Sequence, residues 1–187
     1  MIVCLSGRAR VGKDTLGKIL QDKFKENYFI MAYADALKRK CRDDFSLSRA
    51  QLYGDLKEVE DERYPRSDGS CWTPREILQH IGTEAYRAVD DAFWVQQVFK
   101  YIDRNELENV IITDGRFPDE IEAVKERGGI HIRIQRNHDL EVHGTSHASE
   151  TSLENVDNAD YIISNDGSIA ELEAMADTLI KEIENGE

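Results

Sequence analysis

Near its start the chain runs Ile2-Val3-Cys4-Leu5-Ser6 straight into Gly7-Arg8-Ala9-Arg10-Val11-Gly12-Lys13-Asp14-Thr15. A short apolar run closed by glycine, followed by Leu16, Ile19, Leu20 and Phe24 at helical spacing, predicts strand, glycine-rich loop and helix in that order. Backbone N–H groups at such a helix start can cradle the β- and γ-phosphates of a nucleotide, and Lys13 adds a positive charge there. All nine residues from Gly7 to Thr15 are therefore candidate ATP-binding residues. The usual pattern ends Gly-Lys-Ser/Thr. Here Asp14 takes the Ser/Thr place and Thr15 follows, leaving the magnesium-facing ligand open between a carboxylate and a displaced hydroxyl.

Four more short apolar runs, at 28–33, 110–113, 130–134 and 161–164, have the character of buried parallel strands. Helical patterns lie between them at 36–45, 74–89, 93–102 and 118–127. The second is started by Thr73 with Glu76 three residues on, and the last is stopped by Gly128-Gly129. A final helix opens with Ser168 and Glu171 in capping-box spacing. Strand and helix alternate throughout, which predicts an α/β fold with a doubly wound five-stranded parallel sheet and helices on both faces. At 187 residues, one domain is the expectation. Two polar, irregular segments, 46–72 and 137–158, read as mobile insertions at one end of the sheet.

The formal charge is −13, but thirteen acidic residues against one lysine from Asp139 onward account for nearly all of it. That balance argues against a nucleic-acid polymer as partner, which would call for a basic face. A small anion held by a few arginines is compatible with it. Cys4, Cys41 and Cys71 are odd in number and show no CxxC pairing, which suits a reducing cytoplasm. No leader or long apolar stretch follows Met1, so no membrane is expected.

Val110-Ile111-Ile112-Thr113-Asp114 places an acid at the carboxyl end of a buried strand, where Asp114 would face magnesium directly or through water. A helix cap or a turn is the bland alternative. Arg116, two residues on, suits bidentate phosphate binding, and Lys38, Arg75, Arg87 and Arg136 are further candidates. Any one of these is more commonly a surface charge, so the set carries the argument. Trp94, Tyr86 and Phe93 could stack on a base, although aromatics in an apolar stripe are usually core. His138, His143 and His147 lack a cysteine or clear fourth ligand for zinc.

These residues resemble the phage-type deoxynucleoside monophosphate kinases, a branch of the P-loop nucleoside monophosphate kinase family. The resemblance is carried by Leu5-Ser6-Gly7 through Thr15, by Leu78-Gln79-His80-Ile81-Gly82-Thr83 with Asp91 and Trp94, by Ile112-Thr113-Asp114-Gly115-Arg116 with Glu120, and by Ile163-Ser164-Asn165-Asp166-Gly167-Ser168 with Glu171-Leu172. Gly-Lys-Asp-Thr is itself usual in that family. His147-Ala148-Ser149-Glu150 looks like its His-x-Ser/Thr-Glu stretch, in a lid at about 137–158.

The resemblance implies a single kinase domain over 1–187 with an acceptor-binding helical insertion at about 35–105. ATP and Mg²⁺ would serve as co-substrate and cofactor, a deoxynucleoside monophosphate as acceptor, and a homodimer is plausible. Adenine would lie near Asn165. Lys38, Arg75 and Arg116 would hold the acceptor phosphate, Gln79 and Trp94 would border its base or sugar, and Asp35 to Arg87 would span its site. Lys13, Asp114, Arg116 and Arg136 are the catalytic set. One departure is that 137–158 contains no lysine or arginine. Transition-state charge would then fall to Lys13, Arg8 or Arg10, Arg133 or Arg136, and magnesium. The rival readings are a dephospho-coenzyme A kinase, in which Asp35 could meet an acceptor hydroxyl, and a non-catalytic nucleotide-dependent switch or binding module.

Overall fold

The computed structural model describes residues 1–136 and 158–186. In chain order the elements are β1 (Ile2–Ser6), α1 (Lys13–Lys23), β2 (Phe29–Met31), α2 (Ala34–Phe45), α3 (Arg49–Tyr53), a 3-10 turn (Asp55–Glu58), α4 (Pro74–Gln79), a π-helix (His80–Arg87), α5 (Phe93–Arg104), β3 (Val110–Gly115), α6 (Pro118–Glu126), β4 (Ile130–Gln135), β5 (Tyr161–Ser164) and α7 (Ile169–Asn185). They form two compact units: Met1–Ala32 with the residues from Phe99 onward, and Tyr33–Val98.

In the first unit all five expected strands form one parallel sheet, ordered β2-β3-β1-β4-β5. Central β1 is buried along its whole length, which is why it reads as a continuous apolar run and not as an alternating one. Val3 and Leu5 pack with Leu16 and Leu20 of α1 and Leu172 and Ala176 of α7. The opposite face, along which α6 packs on β1 and β4, carries Cys4, Ser6, Asp114 and His131, all buried. The chain leaves β1 towards one edge of the sheet and β3 towards the other. Their carboxyl ends therefore flank a topological switch point, the usual place for a ligand in an open α/β sheet.

The second unit has a small core of its own around Cys41, Leu47, Leu52, Ile77 and Leu78. Its segment 46–72, expected to be irregular, contains α3, which Ser48 and Gln51 start with a reciprocal capping box. Asp61 organises the rest of that segment: buried, it accepts from Gln51 Nε2 at 2.7 Å and from two nitrogens of Arg63 at 2.6 and 2.8 Å. The helix expected at 74–89 starts at its Thr73 and Glu76 box but continues as a π-helix from His80. Gly82 lies within it. Its carbonyl accepts the Trp94 indole N–H at 2.8 Å, and a Cβ on it would come within 2.7 Å of the Leu37 side chain.

The expected lid at 137–158 lies, Asn158 excepted, outside the described residues, as do His138, His143 and His147. Among the described residues no helix is long and apolar enough to cross a membrane.

Candidate active site

The loop after β1 is built around two glycines that no other residue could replace without strain. Gly7 has φ 142°, and a Cβ there would lie 2.2 Å from the Ile134 carbonyl oxygen. Gly12, at φ 105°, has the Asn165 side-chain amide in the same position, 2.5 Å away. Only glycine adopts such conformations without penalty. Helix α1 starts at Lys13, whose ammonium turns back to donate to the carbonyls of Gly7 at 2.7 Å and Arg8 at 2.8 Å. Asp14 and Thr15 stand exposed in the first turn, where the helix dipole favours an acid.

Asn165, just past β5 and buried, ties this loop to the sheet. Its backbone N–H donates to Gln135 O at 2.8 Å, its side-chain Nδ2 donates to Val11 O at 2.7 Å, and its carbonyl accepts from Arg136 Nε at 2.7 Å. The residue expected beside adenine is thus also a brace for the phosphate loop and an anchor for Arg136.

Asp114 sits in a bulge. Pairing between β1 and β3 passes from Cys4 with Ile112 to Ser6 with Gly115, so β3 advances three residues while β1 advances two. Bulges of this kind re-aim side chains next to functional sites. Beyond it, the buried Glu120 carboxylate accepts the backbone N–H groups of Arg116 at 2.7 Å and Phe117 at 3.1 Å, which fixes the turn that carries Arg116. Burial, reinforced by the neighbouring Asp114 charge, pushes the Glu120 carboxyl up to about 8 despite those two bonds. The same burial, with Glu120 and Asp114 adding to it, raises the Cys4 thiol well above its ordinary value.

The first unit therefore gathers the phosphate loop after β1, Asp114 and Arg116 at the end of β3, Arg136 after β4 and Asn165 after β5 along one edge of the sheet. The remaining expected residues belong to the second unit. Asp35 and Lys38 share a neighbour that sequence reasoning missed: the half-exposed Tyr53, whose ring centre is 4.2 Å from Lys38 Nζ and whose hydroxyl is 3.5 Å from Asp35. No periodic signal marks Tyr53, although the Ser48 and Gln51 box marks its helix. Arg75 Nε pairs with Glu58, Gln79 ends α4, and Arg87 is buried at the end of the π-helix. Trp94 is buried against Tyr86 and Phe93, with its N–H committed to Gly82.

The model of the deoxynucleotide monophosphate kinase family matches residues 55–175, well over half of the chain. The chain belongs to that family. Its members are phosphotransferases, and this chain is an enzyme of that class. A protein of Acanthamoeba polyphaga mimivirus that carries the provisional name deoxynucleotide monophosphate kinase is 29% identical over 188 residues, covering 91% of each chain. The deoxynucleotide monophosphate kinase of Escherichia phage RB69 is 26% identical over 145 residues, which are 73% of this chain but 57% of the phage protein. Among solved structures, shikimate kinase from Aquifex aeolicus superposes over the full length of both chains with a TM-score of 0.50 at 16% identity. That likeness establishes the P-loop kinase fold for this family member and nothing finer.

Among the described residues no cluster of three His, Cys, Asp or Glu side chains suits a metal held by protein alone. The oxygen donors of Asp114, Asp14 and Thr15 do suit Mg²⁺, which keeps several waters and takes one or two protein oxygens together with substrate phosphates.

Proposed function

We propose that this kinase transfers the γ-phosphoryl group of Mg-ATP to a deoxynucleoside monophosphate, giving the deoxynucleoside diphosphate and ADP. The observation that carries the reading is the Gly7–Gly12 loop with the Lys13 ammonium turned into it, in a chain of the deoxynucleotide monophosphate kinase family. Phosphoryl transfer needs alignment and charge neutralisation more than covalent chemistry, so the side chains divide by those two tasks.

In this reading the loop amides and Lys13 hold the β- and γ-phosphates, with Arg8 or Arg10 nearby. Arg136, anchored on Asn165, offsets charge on the transferred group. Arg116 holds the acceptor phosphate, its backbone fixed by Glu120. Asp114, with Asp14 or Thr15, would hold Mg²⁺ directly or through water, and the ion supplies charge neutralisation between the two phosphate groups. The helical insertion at about 35–105 supplies Asp35, Lys38, Arg75, Gln79, Arg87 and Trp94 to the acceptor. The attacking oxygen already belongs to a phosphate anion, so no strong base is required. A cytoplasmic homodimer belongs to the same reading, and sedimentation checks the assembly.

The test is ADP production from Mg-ATP with each deoxynucleoside monophosphate, each ribonucleoside counterpart and dephospho-coenzyme A offered separately, beside a control without acceptor. Turnover with deoxynucleotides is the expected result. Turnover with dephospho-coenzyme A alone, or ATP hydrolysis that no acceptor changes, sinks the reading.

A further inference from the structure

The sheet face covered by α6 holds a buried pair that phosphoryl transfer as proposed does not use. Ser6 and His131 are both 0% exposed, and Ser6 Oγ lies 2.7 Å from His131 Nε2. The other ring nitrogen, Nδ1, faces the backbone carbonyl of Asn158 at 3.4 Å, and a carbonyl only accepts. Nδ1 therefore carries the ring proton, Nε2 is the acceptor, and the Ser6 hydroxyl donates to it. The charged groups around the ring are Lys125 of α6, Arg133 of its own strand, and Asp160, which accepts the His131 backbone N–H at 2.8 Å and pairs with Lys125. Burial holds the imidazole below its usual range, so it is neutral at neutral pH.

The place of this pair in the fold gives it a role. Ser6 is the last residue of β1, and Gly7, the next, begins the phosphate loop under a carbonyl that leaves no space for a side chain. On one side β1 loses regular support, because β3 bulges at Asp114. On the other it stays in register with β4 as far as Ser6 with Arg133, and the Ser6 to His131 bond locks that last step. An apolar pair would fill the same space without the desolvation cost of two buried polar groups, but it would have no preferred direction.

We propose that His131 is a positioning residue for the phosphate loop: by accepting the Ser6 hydroxyl it fixes the end of β1 from which Gly7–Gly12 is aimed. This rests on the phosphate-loop reading, and its test uses ATP binding, so it does not depend on any acceptor. Affinity for N-methylanthraniloyl-ATP is measured by fluorescence titration, beside urea unfolding, for the wild-type chain, Ser6→Ala, and Ser6→Ala with His131→Leu.

Ser6→Ala weakens nucleotide binding about tenfold, the size of one lost neutral hydrogen bond. The double variant removes both partners of the short bond and leaves only the long 3.4 Å contact of the Asn158 carbonyl unmade, so it regains most of the stability that Ser6→Ala loses but keeps the weakened binding. Wild-type affinity in a stable double variant reduces the pair to a packing device and overturns the inference alone. Absence of ATP binding by the wild-type chain overturns the phosphate-loop reading and this inference with it. If the variants fail to fold, ¹⁵N spectra of the wild-type imidazole at pH 7.5 decide: an Nδ1–H tautomer supports the proposal, and an Nε2–H tautomer or an imidazolium overturns it.

Discussion

The side-chain amide of Asn165 donates to the carbonyl of Val11 at 2.7 Å, so the segment that follows the last strand braces the loop that follows the first. The two residues are 154 positions apart, and the brace passes beside the one glycine, Gly12, that lets it approach.

Removing that brace affects both fold and binding. Asn165→Ala leaves a buried carbonyl unsatisfied, at a cost of about 1–3 kcal/mol. It also frees the loop, so KM for ATP rises several-fold while KM for the acceptor stays put. Urea unfolding and steady-state kinetics check the two halves, and an unchanged KM for ATP removes Asn165 from the nucleotide site.

Lys13 and Arg116 separate the two substrates. Lys13→Ala lowers kcat by about a hundredfold or more with every acceptor, the usual consequence of losing one preorganised charge at a transferring group. Arg116→Ala raises KM for the acceptor and leaves KM for ATP alone. If Arg116→Ala changes no kinetic constant, the acceptor site has been misplaced.

Trp94→Phe tests what the indole does. The variant keeps an aromatic ring but removes the indole N–H that donates to the Gly82 carbonyl, so about 0.5–1.5 kcal/mol of stability is lost. For a chain of this size that lowers Tm by roughly 2–4 °C per kcal/mol. A higher acceptor KM with unchanged Tm would assign the ring to the substrate instead.

His131 gives stability a pH dependence with a definite sign. Burial makes its folded pKa lower than the unfolded value of 6.5, so the unfolded chain binds the proton more tightly. The stabilising contribution is fully present above pH 6.5 and is lost as pH falls below it. Urea midpoints therefore drop between pH 7.5 and 5.5, and the double variant without imidazole or hydroxyl shows a shallower drop. Equal slopes would mean that the ring already titrates in the folded protein as it does in the unfolded chain.

Much of this architecture was legible in the residue order because its causes are local. Gly7 and Gly12 announce backbone that only glycine adopts, the apolar runs of β1 and β3 announce strands buried on both faces whereas β2 and β5 at the sheet's edges are partly exposed, and the Thr73 with Glu76 and Ser168 with Glu171 boxes start the helices they were expected to start. What escaped is non-local or irregular. The bulge at Asp114 depends on pairing with β1, and the Gly82 carbonyl in the π-helix meets a tryptophan twelve residues further on. The Ser6 to His131 bond joins residues 125 apart. Helix α3 was hidden in a charged segment where Leu47 and Leu52 are the buried apolar residues and Tyr64 and Trp72 only pack against the core, yet Ser48 and Gln51 spell its start.

The packing around Cys4 turns this thiol into a clock for the site. Its sulfur would lie only 2.6 Å from a Cβ on Gly115, and a thiolate there would confront Glu120 and Asp114 in a fully buried place, so alkylating reagents react with it only when the packing on central β1 opens. Cys71 is partly exposed and labels first, and Cys41 is buried with its thiol pushed up to about 11. After Cys71→Ser, the slow modification of Cys4, read by mass, times how often the foundation of the phosphate loop opens, and a bound nucleotide that tightens the loop lengthens that interval.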